Sequence, residues 1–325
     1  MGETVLVTGG AGYIGSHACK LLAAAGWRPV VFDNLRTGWR EACRFGPLIE
    51  GDLLDRAALA AAFAEARPAA VMHFAALSNV GESVERPELY WRNNVAGSLN
   101  LLDAMREAGC LRLVFSSTCA TYGASDAPLT EESGQAPINP YGQSKLAVER
   151  MIADYARHGL EAFVFRYFNV AGADPEAEIG ERHVPETHLV PLILDAIAGD
   201  RPEIVMNGDD YPTPDGSCIR DYLHVMDLAG AHVAGLRRLM AGDGGAVLNL
   251  GTGRGYSVRE VIGAAEAATG RPAPWRVGPR RPGDPPRLVS GSALAEAMLG
   301  WRPERGLREM IEDAWRWRGR GFGGA

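Results

Sequence analysis

Residues 4–15, TVLVTGGAGYIG, join a short β-branched run to a turn with four glycines, three of which recur at every third position. The pattern predicts a strand over residues 4–7, followed by a helix over residues 13–25. Such glycines let the backbone turn tightly and approach a pyrophosphate, which then faces the free amides of the helix N-terminus. A glycine-rich turn without a ligand is the alternative, and the flanking strand and helix favour nucleotide binding. The three residues are Gly9, Gly12 and Gly15.

Asp33 closes a second apolar run, residues 29–32, and follows Gly15 by 18 positions. A carboxylate there accepts hydrogen bonds from the adenosine ribose hydroxyls and repels a 2′-phosphate, which favours NAD over NADP. Arg36 leaves NADP as the alternative cofactor, because an arginine accommodates that phosphate. A solvated aspartate at a strand end is the structural alternative.

The rest of the first half continues this alternation of apolar strands and helical patterns. Further strands are expected over residues 47–50, 69–74, 111–115 and 162–168, and helices over residues 57–66, 88–108 and 141–158. We therefore predict an α/β fold with a doubly wound parallel sheet, a Rossmann domain, over residues 1–168. Residues 169–325 are expected to form mainly a smaller C-terminal α+β substrate domain, with a segment around 220–252 returning to the first sheet.

Composition narrows the class of protein further. The chain has 325 residues, a net charge of −7 and 46% hydrophobic residues, which is typical of a globular protein. The net negative charge argues against nucleic acid or an anionic membrane as a partner. We expect no membrane span and no signal peptide. Five scattered cysteines indicate reduced thiols and a cytoplasmic location, and seven histidines without paired spacing predict no metal site.

Tyr141 and Lys145 open the predicted helix at residues 141–158, and Thr118 lies just after the strand at residues 111–115. A spacing of four brings Tyr141 and Lys145 onto one helix face. An ammonium beside a phenol favours the phenolate and lowers its pKa from about 10. We expect Tyr141 to act as the general base for a hydroxyl whose carbon loses hydride, with Thr118 sharing the proton. A pair on the solvent surface is the alternative.

Together these motifs make the chain resemble the extended short-chain dehydrogenases/reductases, and within them the UDP-glucose (UDP-galactose) 4-epimerase family. The similarity runs over nearly the whole length, and its most specific parts lie in the second half. The matching stretches are Thr8–His17, Asp33–Leu35, His73–Ala76, Val80–Ser83, Pro140–Lys145, Arg166–Asn169, Asp210–Thr213 and Arg220–Val225.

The resemblance implies a set of NAD contacts, with Lys145 also holding the nicotinamide ribose. They are Gly9, Gly12, Tyr13, Ile14, Gly15, Asp33, Asn34, Leu35, Arg36, Thr37, Gly38, Asp52, Leu53, Phe74, Ala75, Ala76, Leu77, Ser78, Asn94, Tyr141, Lys145 and Phe168. It also implies a UDP-sugar site in which Asn169, Arg220 and Arg281 bind the diphosphate. Its residues are Ser78, Asn79, Val80, Thr118, Tyr141, Asn169, Thr187, His188, Leu189, Val205, Met206, Asn207, Arg220, Tyr222, Arg281, Asp284 and Leu288.

The activity implied is reversible 4-epimerisation of UDP-glucose and UDP-galactose by a homodimer, through a transient 4-keto sugar and retained NAD. Cys119 and Ala120 follow Thr118 where related dehydratases carry acids, which disfavours dehydration. Leu288 stands where some members have a bulky tyrosine, so UDP-N-acetylhexosamine is an alternative substrate, as are UDP-xylose and UDP-arabinose. Ser78 in place of lysine and Asn207 in place of phenylalanine are further departures. A non-catalytic NAD-binding sensor is the remaining alternative.

Overall fold

Strands and helices alternate through residues 4–167, as the sequence predicts. The computed structural model describes residues 2–123, 128–281 and 285–320. The strands of this half are β1 Thr4–Thr8, β2 Arg28–Asp33, β3 Leu48–Glu50, β4 Ala70–His73, β5 Arg112–Ser116 and β6 Glu161–Tyr167. The helices are α1 Tyr13–Ala24, α2 Arg56–Ala66, α3 Val80–Glu85, α4 Pro87–Tyr90, the π-helical turn Trp91–Ala96, α5 Gly97–Glu107 and α6 Pro140–Tyr155.

The second half has shorter strands and a less regular order. Its strands are β7 Asn169–Ala171, β8 Ile204–Asn207, β9 Ile219–His224, β10 Val247–Leu250, β11 Gly255–Ser257, β12 Trp275–Gly278 and β13 Arg287–Leu288. Its helices are α7 Leu189–Ala198, α8 Val225–Ala241, α9 Val258–Thr269, α10 Ala293–Leu299 and α11 Leu307–Arg318. Short 3₁₀ turns occur at Arg40–Ala42, Cys119–Thr121 and Ala156–His158.

Seven parallel strands form the main sheet in the order β10-β6-β5-β4-β1-β2-β3. The predicted doubly wound sheet is confirmed, and β10 does return to it, with Val247 beside Val164 of β6. The chain runs outward in both directions from β1 and β4, which are neighbours. Their carboxyl ends therefore border a crevice, where ligands of such sheets bind.

Both faces of the sheet are covered, because successive side chains of a strand point to opposite sides. Val5 and Val7 of β1 lie in a cluster with residues of α1 and α8. Leu6 lies in a second cluster, with residues of α2, α5 and α6. These two layers hold the strand ends, and with them the crevice, in fixed positions.

A third hydrophobic cluster belongs to the second half and contains residues of α7, α9 and α11. Around it β9 pairs with β7, β11 and β13, and β8 pairs with β12. Helix α8 instead packs on the main sheet. The division into domains at residue 168 stays a prediction. None of the helices in the described part of the chain is both long and apolar enough to cross a bilayer.

Candidate active site

The glycine loop between β1 and α1 is packed too tightly for side chains at Gly9 and Gly15. Gly9 has a φ of +74°, and a Cβ on it would lie 2.4 Å from the Ala75 amide nitrogen. A Cβ on Gly15 would lie 2.2 Å from the Gly9 carbonyl oxygen. Gly12 borders the cleft at the start of α1. The loop therefore forms the cradle that a dinucleotide diphosphate needs, and the residues present fit that group.

Asp33, at the end of β2, shapes the same loop with its carboxylate. One oxygen accepts a hydrogen bond from the Ala11 amide at 3.0 Å, and the other accepts one from the Leu35 amide at 2.8 Å. Burial raises the pKa of Asp33, and the two amide donors oppose that shift. Each oxygen keeps a further lone pair, so the carboxylate can also accept ribose hydroxyl groups.

The open cleft above the sheet is lined by most of the predicted cofactor residues. They are Gly9, Gly12, Tyr13, Ile14, Gly15, Asp33, Asn34, Arg36, Thr37, Asp52, Leu53, Phe74, Ala75, Ala76, Leu77, Ser78, Tyr141 and Lys145. The structure thus gathers the ends of six separate strands and the start of α6 around one space, as expected for this class of sheet.

Four predicted cofactor residues lie behind the described lining of the cleft. Asn94 exchanges hydrogen bonds with the Leu77 backbone, at 2.8 and 3.0 Å, and so positions the cleft wall without facing the cavity. Gly38 packs against Ala11 of the glycine loop. Leu35 packs on the hydrophobic core. Phe168 belongs to a small cluster around Tyr122.

Sequence reasoning missed several lining residues. They are Phe32, Gly51, Asn93, Ser116, Tyr167 and His183. Most of them stand at or near the carboxyl end of a strand, so the rule that found Asp33 could also have found Gly51, Ser116 and Tyr167. His183 lies in an irregular segment, where no local pattern marks it.

Tyr141 and Lys145 project from the first turns of α6 into the far end of the cleft. This helix starts there because Asn139 accepts a hydrogen bond from the Gly142 amide at 2.8 Å and Pro140 takes the first position. Thr118 hydrogen bonds to the Tyr141 hydroxyl. The three predicted catalytic side chains are therefore brought together.

Burial controls the charges of Tyr141 and Lys145. It lowers the pKa of Lys145 to about 7, against a smaller opposing effect of Glu149. It raises the pKa of Tyr141, and the neighbouring Tyr167 adds to that rise, while Thr118 counteracts it. The expectation that Lys145 lowers the pKa of Tyr141 is not met in this structure. The lysine Nζ donates at 2.8 Å to the Ser116 carbonyl, and burial is the largest influence on the pKa of Tyr141.

A buried ion pair supports α6 one turn beyond Lys145. Glu149 accepts hydrogen bonds from the Arg166 guanidinium at 2.6 Å and from Gln135 at 3.0 Å, and the Ser117 hydroxyl also donates to it. The pair ties α6, which carries Tyr141 and Lys145, to β6.

The predicted substrate residues are more widely spread over the structure than the predicted cofactor residues. Ser78, Tyr141 and His188 line the cleft, and Thr118 reaches it through Tyr141. Strand pairing sets Asn169 beside Tyr222 and Leu288 beside Arg220. Some positions turn away from the cleft: Met206 is buried, Val205 lies on a separate groove, and Asn79 caps α3, which begins with the exposed Val80.

The remaining predicted substrate residues lie in three places. Thr187 and Leu189 flank His188 at the start of α7, Asn207 ends β8 beside Gly278 of β12, and Arg281 is exposed. Asp284 is outside the described residues.

A nucleotide cleft that ends in a tyrosine, a lysine and a threonine defines a nicotinamide-dependent enzyme that removes a hydride and a proton from one substrate group. Residues 5–251 match the NAD dependent epimerase/dehydratase family, and the chain belongs to it. The predicted superfamily and fold are thereby confirmed.

Characterised relatives are similar over almost the full length. A UDP-glucose 4-epimerase of Rhizobium leguminosarum bv. trifolii is 53% identical over 97% of each chain. The crystal structure of UDP-glucose 4-epimerase from Brucella ovis in complex with NAD is 50% identical, with a TM-score of 0.95 over 97% of this chain and 98% of that one. The enzyme from Stenotrophomonas maltophila, with bound NAD and formylated UDP-arabinopyranose, is 43% identical, with a TM-score of 0.94 over 98% of each.

Proposed function

We propose that the chain is an isomerase of carbohydrate metabolism that interconverts UDP-glucose and UDP-galactose by inverting carbon 4, through a transient 4-keto sugar and tightly bound NAD. The observation that carries this proposal is the meeting of Tyr141, Lys145 and Thr118 in the cleft that begins at the glycine loop. The relatives that bear this activity in their names support it.

The roles follow from the hydrogen bonds of the site. The Tyr141 hydroxyl is the group that accepts the proton of the sugar 4-hydroxyl and later returns it. Thr118, bonded to that hydroxyl, relays the proton between phenol and sugar. Lys145, whose Nζ also donates to the Ser116 carbonyl, would bind the ribose hydroxyls. The chemistry that NAD supplies when bound is the acceptance and return of the hydride of carbon 4.

Residues of the second half would hold the UDP group. Asn169 of β7 pairs with Tyr222 of β9, and Arg220 lies two residues before Tyr222, so the side chains of Asn169 and Arg220 share one face of this sheet. A guanidinium suits a diphosphate because it offers a planar set of donors to two oxygens. Arg281 would add a second cation. With the diphosphate fixed, the 4-keto sugar can turn about that link and present its other face.

Epimerisation without added cofactor tests this proposal. Because the reaction has no net redox change, the purified protein is expected to convert UDP-galactose to UDP-glucose in a coupled assay to which no NAD is added. Heat denaturation should release NAD in near-stoichiometric amount. A protein that releases NAD but converts no UDP-galactose would be the non-catalytic sensor instead.

A second candidate substrate class is UDP-N-acetylhexosamine, favoured by the short side chain of Leu288. This residue lies beside Arg220 and packs against the small cluster around Tyr122, which also contains Phe168. A leucine leaves more room near the sugar 2-position than a tyrosine does. UDP-xylose and UDP-arabinose stay possible because no contact to carbon 6 has been assigned.

We further propose a cytoplasmic homodimer formed through the helices at residues 88–108 and 141–158. The support is exposed apolar surface on this helical layer, where Trp91 and Leu99 are 43% and 41% exposed. All five cysteines are free, which suits a reducing compartment.

A further inference from the structure

Residues 178–188, here called the strap, are fixed to both halves of the molecule. The Trp39 indole donates to the Arg182 carbonyl at 3.0 Å, and the Arg182 guanidinium lies 3.5 Å from the centre of the Trp39 ring. The Trp39 amide in turn donates to Ala11 of the glycine loop at 2.9 Å. On the other side the Trp317 indole donates to the Glu181 carbonyl at 3.0 Å. The strap is thus held over the glycine loop.

Two histidines of the strap, His183 and His188, line the same cleft as Gly12 and Tyr13. The His183 ring stands edge-on to the Tyr13 ring, with 6.5 Å between the centres. Its Nδ1 lies 3.3 Å from the Glu181 carboxylate and 3.6 Å from the Glu186 carboxylate. Nδ1 thus faces the two carboxylates at ion-pair distance without a well-aligned hydrogen bond, and a protonated ring still carries its Nε2–H as a donor.

The carboxylates themselves are held in place. Glu186 accepts hydrogen bonds from the amides of Thr187 and His188, at 2.6 and 2.8 Å. Glu181 is nearly buried and also accepts from His188 Nδ1. Burial alone would lower the pKa of His183, but Glu181 and Glu186 raise it to about 10, so the ring is cationic at neutral pH.

We propose that His183 is a cofactor-retaining residue, whose ring, at ion-pair distance from Glu181 and Glu186, binds the NAD diphosphate from the side opposite the glycine loop. The inference rests on the proposed function, because it takes NAD as the occupant of the cleft. An enzyme that returns its hydride to the same substrate gains nothing from releasing NAD between turnovers. A charge-assisted hydrogen bond from a fixed strap would slow that release.

The same four side chains, Glu181, His183, Glu186 and His188, offer ligand atoms within 4.8 Å of one another and could hold a divalent cation. The structure favours the diphosphate, because both imidazoles already pair with the carboxylates and a cation would have to displace their protons. Metal binding at these four residues is therefore the alternative that treatment with EDTA and Zn²⁺ tests.

His183→Gln removes the charge and keeps a polar side chain. We expect NAD to dissociate about tenfold faster than from the unaltered protein, which corresponds to the loss of one charge-assisted hydrogen bond. NAD content after dialysis should fall, and so should epimerase activity without added cofactor, while added NAD restores it. His183→Arg, which keeps a cation, should restore most of the retention. His158→Gln makes the same change at an exposed site outside the cleft and should retain NAD fully.

Trp39→Phe provides a second variant, since it removes the indole donor to Arg182 and leaves an aromatic ring. It should also speed NAD loss, because the strap is then held less firmly. Retention of NAD by His183→Gln at the rate of the unaltered protein would overturn the inference while leaving the epimerase proposal intact. Loss of NAD retention on treatment with EDTA, reversed by Zn²⁺, would overturn it in favour of a metal site. Absence of both NAD and epimerase activity from the unaltered protein would overturn both proposals.

Discussion

Lys145 and Tyr141 show how burial decides the chemistry of single residues. The ammonium of Lys145 has a pKa of about 7, because burial disfavours its charged form. The phenol of Tyr141 is shifted upward by the same cause. Near neutral pH the lysine can therefore gain or lose a proton at little cost, which suits a group placed next to a general base.

Tyr141→Phe removes the hydroxyl and keeps the ring. Turnover should fall by roughly 10²–10⁴-fold, the usual contribution of a positioned general base. NAD content should not change, because the diphosphate cradle lies at the other end of the cleft. A coupled assay and the NAD released on heating measure the two effects. Near-normal turnover in this variant would contradict the assignment of Tyr141.

Lys145→Met tests the cost of burying a charge, in protein freed of NAD. Between the folded pKa of about 7 and the ordinary value of 10.5, the unfolded chain binds a proton that the folded chain does not. Stability should thus rise with pH in this window. The variant is expected to melt at a higher temperature than the unaltered protein, most clearly below pH 7, with a gain that shrinks towards pH 10.

Lys20→Met is the matched control, since Lys20 forms ion pairs with Asp174 and two glutamates. That variant should lower the melting temperature. A gain for Lys145→Met that is constant or grows between pH 7 and pH 10 would contradict the argument.

Leu288→Tyr tests the substrate range. A larger ring next to Arg220 should exclude the N-acetyl group and leave the smaller hexose accepted. We expect kcat/KM for UDP-N-acetylglucosamine to fall by about tenfold or more relative to that for UDP-glucose. No detectable turnover of the acetylated pair by the unaltered protein would refute the second substrate class.

At the scale of elements, α6 carries Tyr141 and Lys145, the proposed catalytic pair, and is fixed by Glu149. This carboxylate and Arg166 of β6 are both buried, so each would be an unpaired charge without the other. Removing one partner of such a pair is costly, even where the intact pair contributes little net stability. The position of Lys145 therefore depends on a contact that its own sequence neighbourhood does not reveal.

Glu149→Ala should lower the free energy of unfolding by about 3–5 kcal/mol, the typical loss when a buried charge is left alone. Urea denaturation followed by circular dichroism measures it. Arg150→Ala, one position further along α6 and exposed, should change stability by less than about 0.5 kcal/mol. Equal effects of the two substitutions would show that the ion pair does not anchor the helix.

The helix predicted over residues 88–108 is partly wrong, and the difference has a physical cause. The structure divides it into α4, a π-helical turn at Trp91–Ala96 and α5. This turn contains Asn94, which is buried and hydrogen bonded to the Leu77 backbone. Apolar periodicity could not reveal this turn, because Asn94 bonds to a residue 17 positions away in the sequence.

For the molecule as a whole, the exposed apolar residues of α5 and its neighbours predict association. Leu99→Asp would place a charge in the proposed interface and should convert a dimer of twice 34.8 kDa into the single chain. Light scattering coupled to gel filtration measures the mass. An unaltered protein that elutes at 34.8 kDa would rule the dimer out.

The sequence by itself determined the parallel sheet, the glycine loop, Asp33 at its strand end and the spacing of Tyr141 and Lys145. These features depend on turn chemistry and periodicity, which act between near neighbours in the chain. Only the tertiary structure decided the protonation of Lys145, the pairing of Glu149 with Arg166 and the place of His183 above the glycine loop. Burial and charge pairing join residues far apart in sequence, so no local pattern encodes them.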